Sequence, residues 1–506
     1  IFEPFFSTKD VGAGTGLALG SSNKSAKGGD DPNGDNQIIW RGDGHLVNGG
    51  AGYNTLKLTM LPEKQINLEN ISNIQRIEIS EDNLNQVNLL APDSLVASGE
   101  VMEIDGRKLN NNKGYISDGS AESDGDFIIY GSAYNDQLIG GQTPNSDTIF
   151  GGDGNDTITG GAGTDTISGG ADADTIIFGT HLSSLDTIDG GAGTDELRFT
   201  DSGSATSDLD GVTNVETVTL GDSATSVTTV DGLVGAGQTL TVSAAALTGT
   251  NALTWDGSAE TNGSFDITGS SQADTITGGA GDDTLNFVSG VDLAKDVSID
   301  GGVGTDTVTF TQNGIVDVDD SDFVSVSNIE AIAFGDGNNV SVLSTNVAAA
   351  SAASPLRISS GTGNDEFDLS GLDKITAIST DAGADTIILG THLSSLDTID
   401  GGAGTDELRF TDSGSATSDL DGVTNVETVT LGDSATSVTT VDGLVGAGQT
   451  LTVSAAALTG TNALTWDGSA ETNGSFDITG SSQADTITGG AGTDTISGGA
   501  DADTII

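Results

Sequence analysis

Between Gly131 and Ile177 the chain repeats one short phrase five times, and no other feature limits its fold so tightly. Residues 131–139 read GSAYNDQLI, 140–150 GGQTPNSDTIF, 151–159 GGDGNDTIT, 160–168 GGAGTDTIS and 169–177 GGADADTII. A nine-residue unit is too short to bury an apolar face by itself, so copies must cover one another. Its first six residues are rich in glycine, which turns sharply and enters positive φ without steric cost. The last three are extended and carry one large apolar residue, Ile158, Ile167 or Ile176, that points inward. Two such turn-strand pairs, eighteen residues, close one coil. The predicted fold is all-β, with parallel β-roll segments over 131–177, 269–286 and 480–506 in which coil stacks on coil.

Stacking raises an electrostatic problem. It sets the aspartates of successive turns in rows along an edge, Asp156 with Asp174 for example, where ionised carboxylates repel. The whole chain has the same imbalance: of 506 residues, 75 are Asp or Glu against 15 Lys or Arg, a formal net charge of −60. Yet an apolar content of 35%, regularly spaced, is too high for a plainly disordered polyanion. Glycine also numbers 75, roughly twice the usual ~7%. Motif and composition together call for a hard cation. Calcium takes about 6–8 oxygens, from carboxylates and backbone carbonyls alike, and glycine turns leave carbonyls free to face inward.

Longer repeats organise the rest of the chain. Residues 174–281 recur at 385–492 with the single difference of Phe178 against Leu389, and 156–177 recur unchanged at 485–506. Beneath this recent duplication lies an older module of roughly 100 residues, present four times. Its glycine turns are Gly49-Gly50-Ala51-Gly52, Gly190-Gly191-Ala192-Gly193, Gly301-Gly302-Val303-Gly304 and Gly401-Gly402-Ala403-Gly404. Each leads to an Asn–β-branched–Glu/Gln step at Asn73, Asn214, Asn328 or Asn425, which suits a turn position. The division is a segment 1–20, a polar linker 21–47, module 1 over 48–177 and module 2 over 178–289. A diverged module 3 covers 290–388 and module 4 covers 389–506. Apolar pairs such as Leu240/Val242, Leu253/Trp255 and Phe265/Ile267 alternate with period 2, as in short strands. Such modules suit a broader β-solenoid or a sandwich-like stretch; the solenoid explains the repetition better.

The tandem phrase G-G-x-G-x-D-x-U-x, with U a large apolar residue, resembles the calcium-binding nonapeptide of the repeats-in-toxin (RTX, hemolysin-type) family. The resemblance implies that Asp136, Asp147, Asp156, Asp165, Asp174, Asp274, Asp283, Asp485, Asp494 and Asp503 donate carboxylate oxygens to Ca2+. It implies that carbonyls of Gly151, Gly152, Gly154, Gly160, Gly161, Gly163, Gly169 and Gly170 complete the shell. Those of Gly278, Gly279, Gly281, Gly489, Gly490, Gly492, Gly498 and Gly499 do the same in the later segments. Asp195, Asp306, Asp365, Asp385 and Asp406 are single-turn candidates, and Asn54 stands where module 1 should have aspartate, so that turn is expected to hold no ion. The family also implies an extracellular or cell-surface protein, exported unfolded by type I secretion from a Gram-negative cell, its usual C-terminal signal lying beyond Ile506.

The remaining features exclude more than they assign. The chain has no cysteine, so neither disulfides nor thiolate metal sites are expected. Its acidity argues against nucleic acid, and no run of about 18 apolar residues would span a membrane. His45, His181 and His392 form no HExxH motif and no catalytic triad, so no enzyme activity is expected. Arg41-Gly42-Asp43 spells an integrin-type tripeptide within a Gly/Asp turn. Residues 1–20, with Gly12, Gly14 and Gly16, resemble the F and second glycine-rich boxes of a histidine-kinase ATPase domain, but the strand and helix such a loop needs are not encoded around them. They read as a remnant, without ATP binding. The expected role is structural or adhesive at the cell surface, as an adhesin or surface-layer component, through cell-surface partners or self-association. The alternatives are the repeat region of an exported protease, lipase or pore former, and a fusion to a sensor histidine kinase.

Overall fold

The computed structural model describes residues 17–18, 26–27, 36–40, 46–59, 65–79, 86–110, 112–142, 146–179, 182–200, 209–223, 225–351, 354–391, 393–411, 420–434 and 436–506. Gly12, Gly14, Gly16, the Arg41-Gly42-Asp43 tripeptide and all three histidines lie outside the described residues. Contacts divide the chain into two units, Ile1–Trp255 and Asp256–Ile506.

The first unit is a β-solenoid. Short strands stack in parallel register, so that one column of inward side chains runs Ile38, Leu56, Ile77, Ile104, Ile129, Ile149, Ile167, Ile188 and Val212. A facing column runs Ile66, Leu89, Ser117, Leu138, Ile158, Ile176, Leu197, Val218 and Val242. All are buried, and Ser117 is the one polar member. Ile158, Ile167 and Ile176 point inward as their place in the nonapeptide requires. Burying each stabilises the coil by about 1.5–3 kcal/mol, but only where a neighbour covers it. Outward positions carry threonine, as in the ladder Thr148–Thr166–Thr187, where a β-branched side chain suits a strand facing water.

The second unit repeats the principle. One column runs Ile267, Leu285, Val308, Ile332, Ile358, Ile378, Ile399 and Val423. Another runs Val318, Ser341, Phe367, Ile387, Leu408, Val429, Val453, Ile478 and Ile496. Helical turns at Gly290–Leu293, Asp320–Phe323 and Thr345–Ala350 lie between strands rather than within them. Aromatic residues gather locally, with Phe334 packing between Phe310 and Phe367 at 5.3 and 5.1 Å.

Strand pairs are parallel in the modules as well as in the nonapeptide segments, so the modules are solenoid and not sandwich, which would need antiparallel pairing. The eighteen-residue coil holds in the tandem segment, from Asp156 to Asp174. Elsewhere the step grows to 20 or 21 residues beside it and to 26 between Asn339 and Asp365. The added residues fall in turns, where length costs little, because the strands must keep register for the apolar columns to meet.

Candidate metal centre

Each nonapeptide aspartate stands at the end of its turn, immediately before the strand, and does two jobs at once. The Asp136 backbone N–H donates to Oδ1 of Asp156 at 2.7 Å, and the Asp156 N–H donates to Oδ1 of Asp174 at 2.8 Å. The Asp174 N–H reaches Asp195 Oδ1 at 2.8 Å, and the Asp195 N–H ends the row on Glu216 Oε2 at 2.8 Å. A second row passes from Phe127 N–H to Asp147, from Asp147 N–H to Asp165 at 3.0 Å, and from Asp165 N–H to Asp186. The rows anticipated from the repeat therefore exist, joined by charge-assisted hydrogen bonds that run from one coil to the next.

That ladder uses one carboxylate oxygen and leaves the other. Oδ2 of Asp156, Asp165, Asp174 and Asp195 is buried without a hydrogen-bond partner, and each of these residues is 1% exposed. A buried, unpaired charged oxygen is strongly unfavourable, so something positive must meet it. Its surroundings show where. A Cβ on Gly151 would strike both Asp156 Oδ2 and the carbonyl oxygen of Gly169, one coil on. Glycine at the head of the turn thus lets a carboxylate oxygen and a carbonyl oxygen share one small space, to which a cation is the natural third party. The next glycine, Gly152, sits at φ 116, which places the turn in a region that only glycine enters freely.

A proton is the competitor. Burial, together with the neighbouring carboxylates, pushes Asp156 up to about 8 and Asp165 and Asp174 up to about 7, although each gains a backbone hydrogen bond. Asp136 and Asp147 rise to about 6, again chiefly through burial. With no metal ion bound, these three carboxyls are therefore substantially protonated at neutral pH.

The second unit has the same rows. The Asp274 N–H donates to Asp296 Oδ1 and the Asp283 N–H to Asp306 Oδ1, both at 2.8 Å; the Asp306 N–H ends on Glu330 at 2.8 Å. A longer row runs Asn339, Asp365, Asp385, Asp406 and Glu427. Oδ2 of Asp296, Asp306, Asp365, Asp385 and Asp406 is buried and unpartnered. Burial pushes Asp296 up to about 8, Asp306 to about 7 and Asp406 to about 6. Asp485 and Asp503 are joined through the Asp485 N–H at 3.0 Å, while Asp494 accepts from the Phe476 N–H at 2.8 Å.

Several of the anticipated ligands differ from Asp156 in one respect: their second oxygen is already engaged within their own turn. Oδ2 accepts from the N–H of Ser132 in Asp136, of Gly141 in Asp147, of Ser270 in Asp274 and of Gly279 in Asp283. The same holds for Ser481 with Asp485 and Gly490 with Asp494. The structure also adds row members that the glycine motif did not mark: Asp186, Asp296 and Asp397, and the terminal Glu216, Glu330 and Glu427. For Asp186 and Asp397 the signal lies in the sequence, since Thr-Ile follows both just as it follows Asp165.

Among the described residues no three acidic or histidine side chains converge, and the oxygens on offer to an ion are single carboxylates beside backbone carbonyls. That donor set fits calcium, a hard cation tolerant of irregular oxygen shells. Fold and site together define a calcium-binding β-solenoid. The model for the RTX calcium-binding nonapeptide repeat (4 copies) matches residues 143–176, 185–199, 266–294, 395–410 and 477–505. These segments are RTX calcium-binding repeats, and the chain is a calcium-binding repeat protein. No curated protein matches the chain. Such repeats typically belong to secreted proteins, and no described helix is long and apolar enough to cross a membrane.

Proposed function

We propose that the chain is a calcium-assembled structural repeat that folds after export and acts as a scaffold or adhesive element at the cell surface. The observation that carries this reading is the set of buried, unpartnered Asp oxygens aligned with glycine turns in both units. When bound, calcium supplies positive charge and oxygen coordination that neither a proton nor water supplies as well in such a space. The residues do the rest. Asp156, Asp165 and Asp174 hold one oxygen on the neighbouring coil's N–H and present the other, glycine admits the carbonyls, and isoleucine columns seal the interior. Without a cation the acidic chain repels itself and stays expanded; with one, binding free energy becomes folding free energy.

A structural role is supported by near-identical modules and by threonine-faced strands. The test uses the full-length exported product on intact cells. Surface labelling that persists in calcium and is released when calcium is removed supports a calcium-held surface element. A product found only free in the medium, with hydrolytic or pore-forming activity, overturns that role while leaving the calcium chemistry intact.

A further inference from the structure

One face of the second unit differs from the rest of the array. Five parallel strands, Thr307–Phe310, Ala331–Phe334, Leu356–Ser359, Thr376–Ser379 and Thr398–Asp400, turn their large apolar residues inward and present a groove of about 410 Å³ outward. Four of the five lie between 295 and 394, where the repeat family does not match. At the usual strand spacing the five span about 19 Å.

Module 4 shows what such a face ordinarily carries, because its register can be followed from the same turn. The Asp306 N–H meets Glu330 as the Asp406 N–H meets Glu427, so Thr307 corresponds to Glu407 and Ala331 to Thr428. Through the strand pairs, Arg357 then corresponds to Thr452 and Ala377 to Asp477. The inward residues keep their character, Val308 with Leu408 and Ile378 with Ile478, all buried. The outward ones do not. Threonine and alanine stand at the places of two carboxylates, and arginine at the place of a threonine. Arg357 has alanine on both neighbouring strands, and its guanidinium forms no ion pair with a described residue. Arg198 and Arg409, by contrast, each pair with the glutamate two residues before them. An exposed arginine without an acid beside it is an exception in a chain with 75 acidic side chains.

The lining sets what fits the groove. The planar guanidinium grips a carboxylate or sulfate with two N–H groups at once. Ser359, Ser379 and Thr398 add exposed hydroxyls, which donate or accept, and Ala331, Ala333 and Ala377 make a flat apolar floor. Sugar rings present that same mixture of hydroxyls and C–H faces. A peptide fits less well: the strands' own N–H and C=O groups are committed to parallel pairing, so its backbone would find few partners. A long polyanion is repelled by the net charge of −60. We propose that this groove binds an oligosaccharide carrying a single acidic sugar, with the carboxylate or sulfate on Arg357 and the rings along the alanine floor. The inference gives the adhesive reading a ligand class, and rests on that reading only for the ligand's place at a cell surface.

Equilibrium dialysis of the full chain at saturating calcium tests it, against trisaccharides of glucose, galactose or mannose, each neutral or carrying one uronic acid or one sulfate. At least one acidic trisaccharide is expected to bind more tightly than its neutral counterpart, on the order of tenfold or more, and the uronate and sulfate arms tell the two anions apart. Arg357→Ala, at an exposed position, is expected to keep the β spectrum and to reduce acidic binding to the neutral level. Ala377→Asp, which puts the carboxylate of module 4 beside Arg357, is expected to abolish acidic binding. Failure of every acidic trisaccharide to bind, or undiminished binding by Arg357→Ala, overturns the proposal. Calcium-dependent surface labelling without saccharide binding would overturn this proposal alone and leave the surface role standing.

Discussion

Asp174 separates the two jobs of a row aspartate. Its Oδ1 accepts the Asp156 N–H at 2.8 Å, and its Oδ2 is the buried, unpartnered oxygen. Asp174→Asn keeps an oxygen for the N–H but removes the charge that calcium needs. Asp174→Ala removes both and leaves the Asp156 N–H buried without an acceptor, which costs about 1–3 kcal/mol beyond the loss of the ion. A free-energy change of about 1.4 kcal/mol is tenfold in an equilibrium constant, so that difference is about 0.7–2.2 log units. In a calcium titration followed by far-UV circular dichroism, it is divided by the number of ions taken up in the same step, which the slope reports. The expected order of calcium midpoints is wild type, then Asp174→Asn, then Asp174→Ala. Equal midpoints for the two variants would refute the ladder, and midpoints equal to wild type in both would refute the ligand role.

Replacing Asp156, Asp165 and Asp174 together with Ala should raise the calcium midpoint further and lower the ion count, as dialysis would report. Ile158→Ala, in a fully buried position between Leu138 and Ile176, should cost about 2–5 kcal/mol. It should raise the calcium midpoint while leaving the ion count at saturation unchanged, since it alters the column and not the turn. Acid should partly replace calcium. The folded-state values of about 7–8 at Asp156, Asp165 and Asp174 lie above the ordinary ~3.9 of an unfolded chain, so the folded state binds more protons in between. Their stabilising contribution is complete below about pH 4 and lost as pH rises through 7–8. Calcium-stripped protein should therefore gain β signal on acidification from pH 8 to pH 4, and the triple Ala variant should gain less.

The nonapeptide rule made the inward isoleucines, the coil and the rows of Asp156, Asp165 and Asp174 legible, because each depends on spacing within eighteen residues. What it could not show depends on contacts between coils. That one carboxylate oxygen is committed to the next coil's N–H follows from parallel register, which a local motif does not encode. Asp136, Asp274 and Asp485 match the motif, yet a serine, Ser132, Ser270 or Ser481, stands at the second turn position and donates to the carboxylate. Asp296 escaped notice because a helical turn, Gly290–Leu293, replaces the glycine turn before it. The Asn–β-branched–Glu/Gln step is visible as a repeat, but the three carbonyls that meet the Asn54 amide are brought together only by the fold.

In the proposed function, calcium binding and folding are one event. Its most direct measurement is far-UV circular dichroism of the full chain at pH 7.5, first stripped of calcium and then titrated to roughly millimolar levels. The expected result is a coil-like spectrum at the start and a cooperative rise to a β spectrum as calcium is added. A β spectrum already complete without calcium, and unchanged by its addition, would contradict it.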